Sequence, residues 1–303
     1  MSFTVRPGRA SDLPAIHAIW YADEVAADPN PPASGPILSS FSYEMEHGDL
    51  RVAEDEAGRT LGFGATVGWG AGRDALTYLT DLFIADDAQS QGVGQALLRE
   101  LPLGADVPRC VHASVDARAT ALYIRWGMEP RWPNYWLAAD SQWGAHGLAA
   151  LPGADLEVVE AAPDDPDLAA WDLRHFGYPR ARDLAWLVES RDALPLWFRR
   201  AGRTLGYGYV QRRCDESLWN PLAWTVGPVG AETPENARAC VCATVRWAAA
   251  RGGSARLAVP GPHPALAPLI AAGCRIVYVE TFLASAGARH FDPTRYLPGG
   301  VFL

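Results

Sequence analysis

Leu79 to Leu98 reads L-T-D-L-F-I-A-D-D-A-Q-S-Q-G-V-G-Q-A-L-L, and the fold turns on how this stretch is read. Leu82, Phe83 and Ile84 form a short apolar run that predicts a strand, and Asp86-Asp87 ends it. Gln89, Gly92 and Gly94 then open a helix with Val93, Ala96, Leu97 and Leu98 on one face. A strand, a glycine-containing loop and a helix start together make an anion site. The first-turn N–H groups have no partner inside the helix and point outward with the positive end of its dipole. Glycine at 92 and 94 removes side chains that would hold a diphosphate away. Other phosphate loops do not fit. There is no G-x-x-x-x-G-K-[ST], since the chain has no lysine, and G-x-G-x-x-G would need glycine where Leu97 stands.

What fits is [QR]-x-x-G-x-[GA] just past a strand, at Gln89, Gly92 and Gly94. A second pattern follows in H-A-S-V-D-A-R-A-T-A-L-Y-I-R-W-G-M-E-P, residues 112–130. Val111 to Val115 predicts a strand, and Asp116 a cap for the next helix. Ala119, Leu122, Tyr123 and Trp126 share one stripe, and Gly127 suits a left-handed helix end. The first pattern resembles the acetyl-CoA pyrophosphate loop of the GNAT superfamily of N-acetyltransferases. The second, [ND]-x-x-A-x-x-x-Y-x-x-x-G-[FM], resembles that superfamily's other signature at Asp116, Ala119, Tyr123, Gly127 and Met128.

The resemblance implies an acetyl-CoA-dependent N-acetyltransferase. The acetyl group would pass to a primary amine of a small acceptor by direct attack in a ternary complex. It implies that Gln89 and the backbone N–H groups of Gln91, Gly92, Val93, Gly94 and Gln95 hold the diphosphate. Phe83, Ile84 and Ala85 would meet the pantetheine arm as an added strand, with an N–H near Ile84 facing charge on the thioester carbonyl. Asp116 would contact the cofactor where the family often has Asn, or only cap its helix. Tyr123 would give a proton to the departing thiolate; read without the family, it is a core aromatic. For the base that deprotonates the amine, Asp81 is the first candidate and Glu24 the second. A water relay remains open, and Asp81 reads equally well as a salt-bridge or turn partner. A catalytically weak acyl-CoA-binding sensor with a scaffold C-terminal domain is the alternative reading.

Composition narrows the partners. A net charge of −9 and a pI near 5.3 argue against nucleic acid or an acidic membrane and mildly favour a cationic substrate. Five cysteines without metal-like spacing read as reduced core residues of a cytoplasmic protein, with no metal expected. No apolar run reaches membrane-spanning length, and Arg6 and Arg9 lead into Ser-Asp rather than into a signal-peptide core.

At 303 residues the chain suits two domains, and it repeats itself. Gly58-Arg-Thr-Leu-Gly-Phe-Gly64 recurs as Gly202-Arg-Thr-Leu-Gly-Tyr-Gly208. Ala223 to Val229 is expected where Leu79 to Ala85 stood, and Gly273-Cys274 echoes Gly127-Met128. The expectation is α/β (α+β): two tandem GNAT-like domains, each a mixed, mostly antiparallel sheet flanked by helices. Residues 1–140 would be catalytic, 141–153 a linker and 154–303 a degenerate copy. The second half has Thr233-Pro-Glu-Asn-Ala-Arg238 in place of the glycine loop, and only Leu266 or Leu269 near the position of Tyr123. Its expected role is packing: extending the sheet, closing the acceptor cleft or anchoring a homodimer. Unequal tandem halves are similar to the architecture of mycothiol synthase, without residues that imply a thiol-sugar acceptor. Glu24, Glu44 and Glu46, with Trp20, Trp69 and Trp136, are candidates for the acceptor wall, and each also reads as ordinary surface or core.

Overall fold

The computed structural model describes residues 2–139, 145–211, 216 and 218–303. The first half runs β1 (Phe3–Pro7), α1 (Leu13–Val25), α2 (Ser39–His47), β2 (Asp49–Asp55), β3 (Thr60–Trp69), β4 (Leu76–Ile84), α3 (Val93–Glu100), β5 (Arg109–Ala113), α4 (Ala117–Arg125) and β6 (Met128–Ala139). Residues 141–144 of the expected linker lie outside the described residues, and α5 (Ala145–Ala149) follows them. The second half runs β7 (Glu157–Glu160), α6 (Pro166–Phe176), α7 (Ala181–Arg191), β8 (Ala193–Arg200), β9 (Arg203–Gln211), β10 (Trp224–Ala231), α8 (Pro234–Ala250), β11 (Ala255–Pro260), α9 (Leu266–Ala271), β12 (Arg275–Ser285) and β13 (Tyr296–Leu297).

The architecture is the mixed, mostly antiparallel sheet with flanking helices that the tandem pattern predicts. Both halves contribute to one continuous sheet in the order β1-β2-β3-β4-β5-β12-β6-β11-β10-β9-β8-β7, with β13 on β10. The order shows an exchange. β12, from the second half, lies between β5 and β6, while β6, from the first, lies between β12 and β11. Each half thus places its last long strand beside the other half's parallel pair. β6 and β12 run antiparallel from Ala138 opposite Arg275 to Met128 opposite Ser285. A core cluster bridges the halves as well: Tyr43, Trp69, Tyr78 and Cys110 pack with Phe176, Trp186, Tyr207, Phe282 and Phe302.

Two features position the site. β4 and β5 pair in parallel only from Thr77–Arg109 to Leu79–Val111, after which they part. Between Ala65 and Thr66 the β3–β4 register slips by one residue, which leaves Thr80 as a bulge. The same parting recurs where Val226 pairs with Leu257 on β10 and β11. The register also corrects the alignment of the repeat. Gly64 faces Leu82 and Gly208 faces Val229, so Leu79–Ile84 corresponds to Val226–Ala231, three residues beyond the expected match. The cause is a longer connection between β9 and β10 than between β3 and β4.

Candidate active site

Where β4 and β5 part, a cleft of about 490 Å³ opens. Its walls are β4 from Leu79 to Ile84, β5 from Val111 and the first turns of α3 and α4. Toward β5, the edge of β4 beyond Leu79 has no strand partner among the described residues, so its backbone groups face the opening. Gly92, at φ +86°, turns the chain into α3, and no side chain caps that helix. Glycine is required there because an L side chain disfavours positive φ. Val93, Leu97 and Leu98 are buried beneath, which aims the free end of α3 into the cleft.

Of the proposed cofactor-binding residues, Phe83, Ile84, Gln89, Gly92, Val93, Gly94, Gln95, Asp116 and Tyr123 line this cleft. Gln91 and Ala85 do not; Gln91 instead donates from Nε2 to the Asp87 carbonyl at 2.7 Å and braces the loop. Gln89 is bound at both ends, donating to Asp86 Oδ1 at 3.1 Å and accepting from Arg118 at 2.9 Å. Asp116 caps α4 by accepting from the Arg118 N–H at 2.8 Å, and its bonds to Arg118 hold its carboxyl below the usual range. Arg118 and Arg125 put two cations on the cleft wall that sequence reasoning missed. Neither belongs to a glycine motif, and only the turn of α4 against α3 brings them to the anion site.

Tyr123 is 5% exposed and packs with Leu98, Val111 and Leu283, yet it borders the cleft. Burial, then the charge of Asp81, raises its phenol, which stays a proton donor at neutral pH.

A second cleft of about 350 Å³ adjoins the first. Glu24, Thr80, Asp81, Phe83, His112, Ser114 and Tyr278 line both. Its floor comes from the exchanged strands and their neighbour β11: Asn134 and Trp136 on β6, Tyr278 and Glu280 on β12, and Arg256 and Ala258 on β11. Trp20, Glu44 and the segment Gly299–Phe302 complete the walls. Glu46 and Trp69 do not join them. Glu46 is exposed beside His47, and Trp69 is buried with its indole N–H on Asp183.

The carboxylates here are perturbed. Glu24 stands exposed at the lip shared by the two clefts, and the surrounding walls, then Asp23, push it up to about 7. Glu44 is 1% exposed; burial, then Asp81, raises it well above the carboxylate range. Asp81 is raised by the same burial, so the pair holds a proton in common.

In the second half the corresponding cleft is filled. β13 pairs with β10, Leu297 opposite Val229 and Tyr296 opposite Gly230, on the positions matching Leu82 and Phe83. Thr233 caps α8 by accepting from the Asn236 N–H at 3.2 Å. Pro228 stands at the position of Asp81, and Leu269, counted back from Gly273, at that of Tyr123.

Residues 46–130 match the family model for the acetyltransferase (GNAT) domain. No curated protein matches the chain. Among solved structures, a candidate acetyltransferase from Pyrococcus horikoshii superposes with a TM-score of 0.70 at 16% identity, over 99% of this chain and 96% of the other. A tandem GNAT protein from the clavulanic acid biosynthesis pathway gives 0.61 at 16% identity, over 95% and 99%. A GCN5-related N-acetyltransferase from Sphaerobacter thermophilus gives 0.60 at 14%, over 97% and 98%. These likenesses show a shared fold across nearly the whole tandem.

Proposed function

We propose that this GNAT-domain acyltransferase moves an acetyl group from acetyl-CoA to a primary amine of a small acceptor, by direct attack in a ternary complex. One observation carries the reading: an uncapped helix end and an unpaired strand edge face one cleft in the first half, and both are occupied in the second. The cleft suits a diphosphate with an amide-bearing arm. N–H groups of Gly92 to Gln95, with Arg118 and Arg125 nearby, match the anion, and the free edge of β4 at Phe83 and Ile84 matches the arm. When bound, acetyl-CoA supplies the activated thioester.

The chain's own residues then have three tasks. Glu24, at the shared lip, takes a proton from the incoming ammonium; its value of about 7 supports the role, because such a base is largely ionised just above neutrality. Asp81, joined to Glu44, is the second candidate and sets the negative field that draws the amine in. Tyr123 gives a hydrogen bond or proton to the leaving sulfur. It lines the cleft beside Asp81 and the start of α3, where that sulfur would lie.

The test is a free-thiol assay with acetyl-CoA and a panel of primary amines, alongside thermal melts with acetyl-CoA. Amine-dependent thiol release and a raised melting temperature support the reading. A raised melting temperature without release under any amine favours the sensor, and no shift at all removes the cofactor site.

A further inference from the structure

The second cleft sits where the two halves meet. Asn134 and Glu280 are paired across β6 and β12, and each lies seven residues beyond its half's glycine, Gly127 or Gly273. They are therefore matching positions of the repeat, brought together at the junction. Asn134 donates from Nδ2 to Glu280 Oε1 at 2.6 Å. That bond fixes the amide, since the carboxylate only accepts. Asn134 is fully buried, and its Oδ1 has no hydrogen-bond partner among the described residues. Glu44, on the same cleft and equally buried, shares a proton with Asp81, and its Oε2 has no hydrogen-bond partner among the described residues.

A buried acceptor without a donor is costly, on the order of 1–3 kcal/mol, and Asn134 lines the cleft. The local charge has the matching sign. Five carboxylates line the cleft against two guanidiniums, those of Arg191 and Arg256. Arg191 is already bound to Glu216, and Arg256 lies 4.7 Å from the Trp136 ring centre. Glu280 and the one charge that Asp81 and Glu44 share, with Glu24 at the lip, exceed what Arg256 balances, and His112 is held neutral by burial. Aromatic walls from Trp20, Tyr78 and Trp136 suit a short alkyl spacer.

We propose that the acceptor carries a second cationic amine, as an aliphatic diamine does, and that Asn134, Glu280 and Glu44 anchor that far end while Glu24 serves the reacting end. An ammonium brings three N–H donors and one positive charge, the two things this end of the cleft lacks. The proposal rests on the acetyl-transfer reading and adds the substrate class to it.

The experiment measures kcat/KM for 1,4-diaminobutane and for 1-aminobutane at saturating acetyl-CoA, in the full chain and in Glu280→Gln. A second measurement reads diamine binding by calorimetry with coenzyme A present. Expected are at least a tenfold preference for the diamine and a fall to threefold or less in Glu280→Gln, with the KM for acetyl-CoA unchanged. Thermal melts show whether the variant is folded; if it is not, the preference and the calorimetry of the full chain decide. Equal kcat/KM for the two amines overturns the diamine anchor and leaves acetyl transfer standing. Thiol release with neither, and none with any other amine, overturns both.

Discussion

Tyr123, Glu24 and Glu44 are all buried or crowded ionisable groups, and each predicts a different experiment. Tyr123→Phe keeps the ring in its packed place and removes only the hydroxyl. Turnover should fall by about 10²-fold, within the range for a positioned acid, while calorimetry shows acetyl-CoA affinity little changed. Glu24 must be ionised to act as the base, so kcat/KM should rise with pH through about 7 and level off above. In Glu24→Gln that limb should vanish along with most of the rate; a limb that persists would point to Asp81 or to water. Glu44 concerns stability. Its folded pKa lies above that of an unfolded glutamate, about 4.3, so the folded state binds the extra proton. That contribution is complete below the unfolded value and is lost as pH rises. Glu44→Gln, which stays neutral, should lose less melting temperature between pH 5 and pH 8 than the parent chain. At this scale the sequence was legible where one motif fixes a residue's setting, as with Gly92 and Tyr123. It was not legible for Arg118, Asn134 or Glu280, whose roles depend on a turn of helix or on a strand from the other half.

Among the elements, α3 and α8 have similar settings and opposite ends. Gly92 leaves the first turn of α3 bare, whereas Thr233 fills that of α8 with its own oxygen. β13 completes the contrast by occupying the edge of β10 that β4 leaves open. One acetyl-CoA per chain should therefore bind, and calorimetry gives the number directly. Gly92→Ala meets no atom within 4 Å, so its effect is confined to the backbone at φ +86°. A loss of about 1–2 kcal/mol in stability is expected, together with weaker acetyl-CoA binding that the second half cannot make good. A second equivalent of bound cofactor would contradict this. The glycine loop, the helix after it and the strands on either side of them could be read from residues 79–128, because local periodicity and caps decide them. β13 could not: two residues carry no periodic signal, and what makes them a strand is an edge formed far earlier in the chain.

For the molecule as a whole, the repeat revealed two copies but not how they are joined. Repetition in sequence says that each half can build the same elements, and it is silent on which half's strand fills the gap beside β5. Here β12 fills it, Phe282 opposite His112 and Leu283 opposite Val111, and β6 fills the matching gap beside β11. Phe282 and Leu283 are wholly buried, and each fully buried side chain of this size contributes roughly 2 kcal/mol. A fragment of residues 1–153 would leave β5 and β6 with no strand between them and would uncover Tyr43, Trp69 and Tyr78. Residues 154–303 alone would lose β6 from between β11 and β12. Neither fragment should therefore fold by itself, whereas the two expressed together should associate, melt in a single transition and regain acetyl-CoA binding. Circular dichroism melts of each fragment and of the pair distinguish the cases. A stable 1–153 fragment that binds acetyl-CoA would show that β5 and β6 close on each other, and that the exchange serves the acceptor cleft rather than the fold.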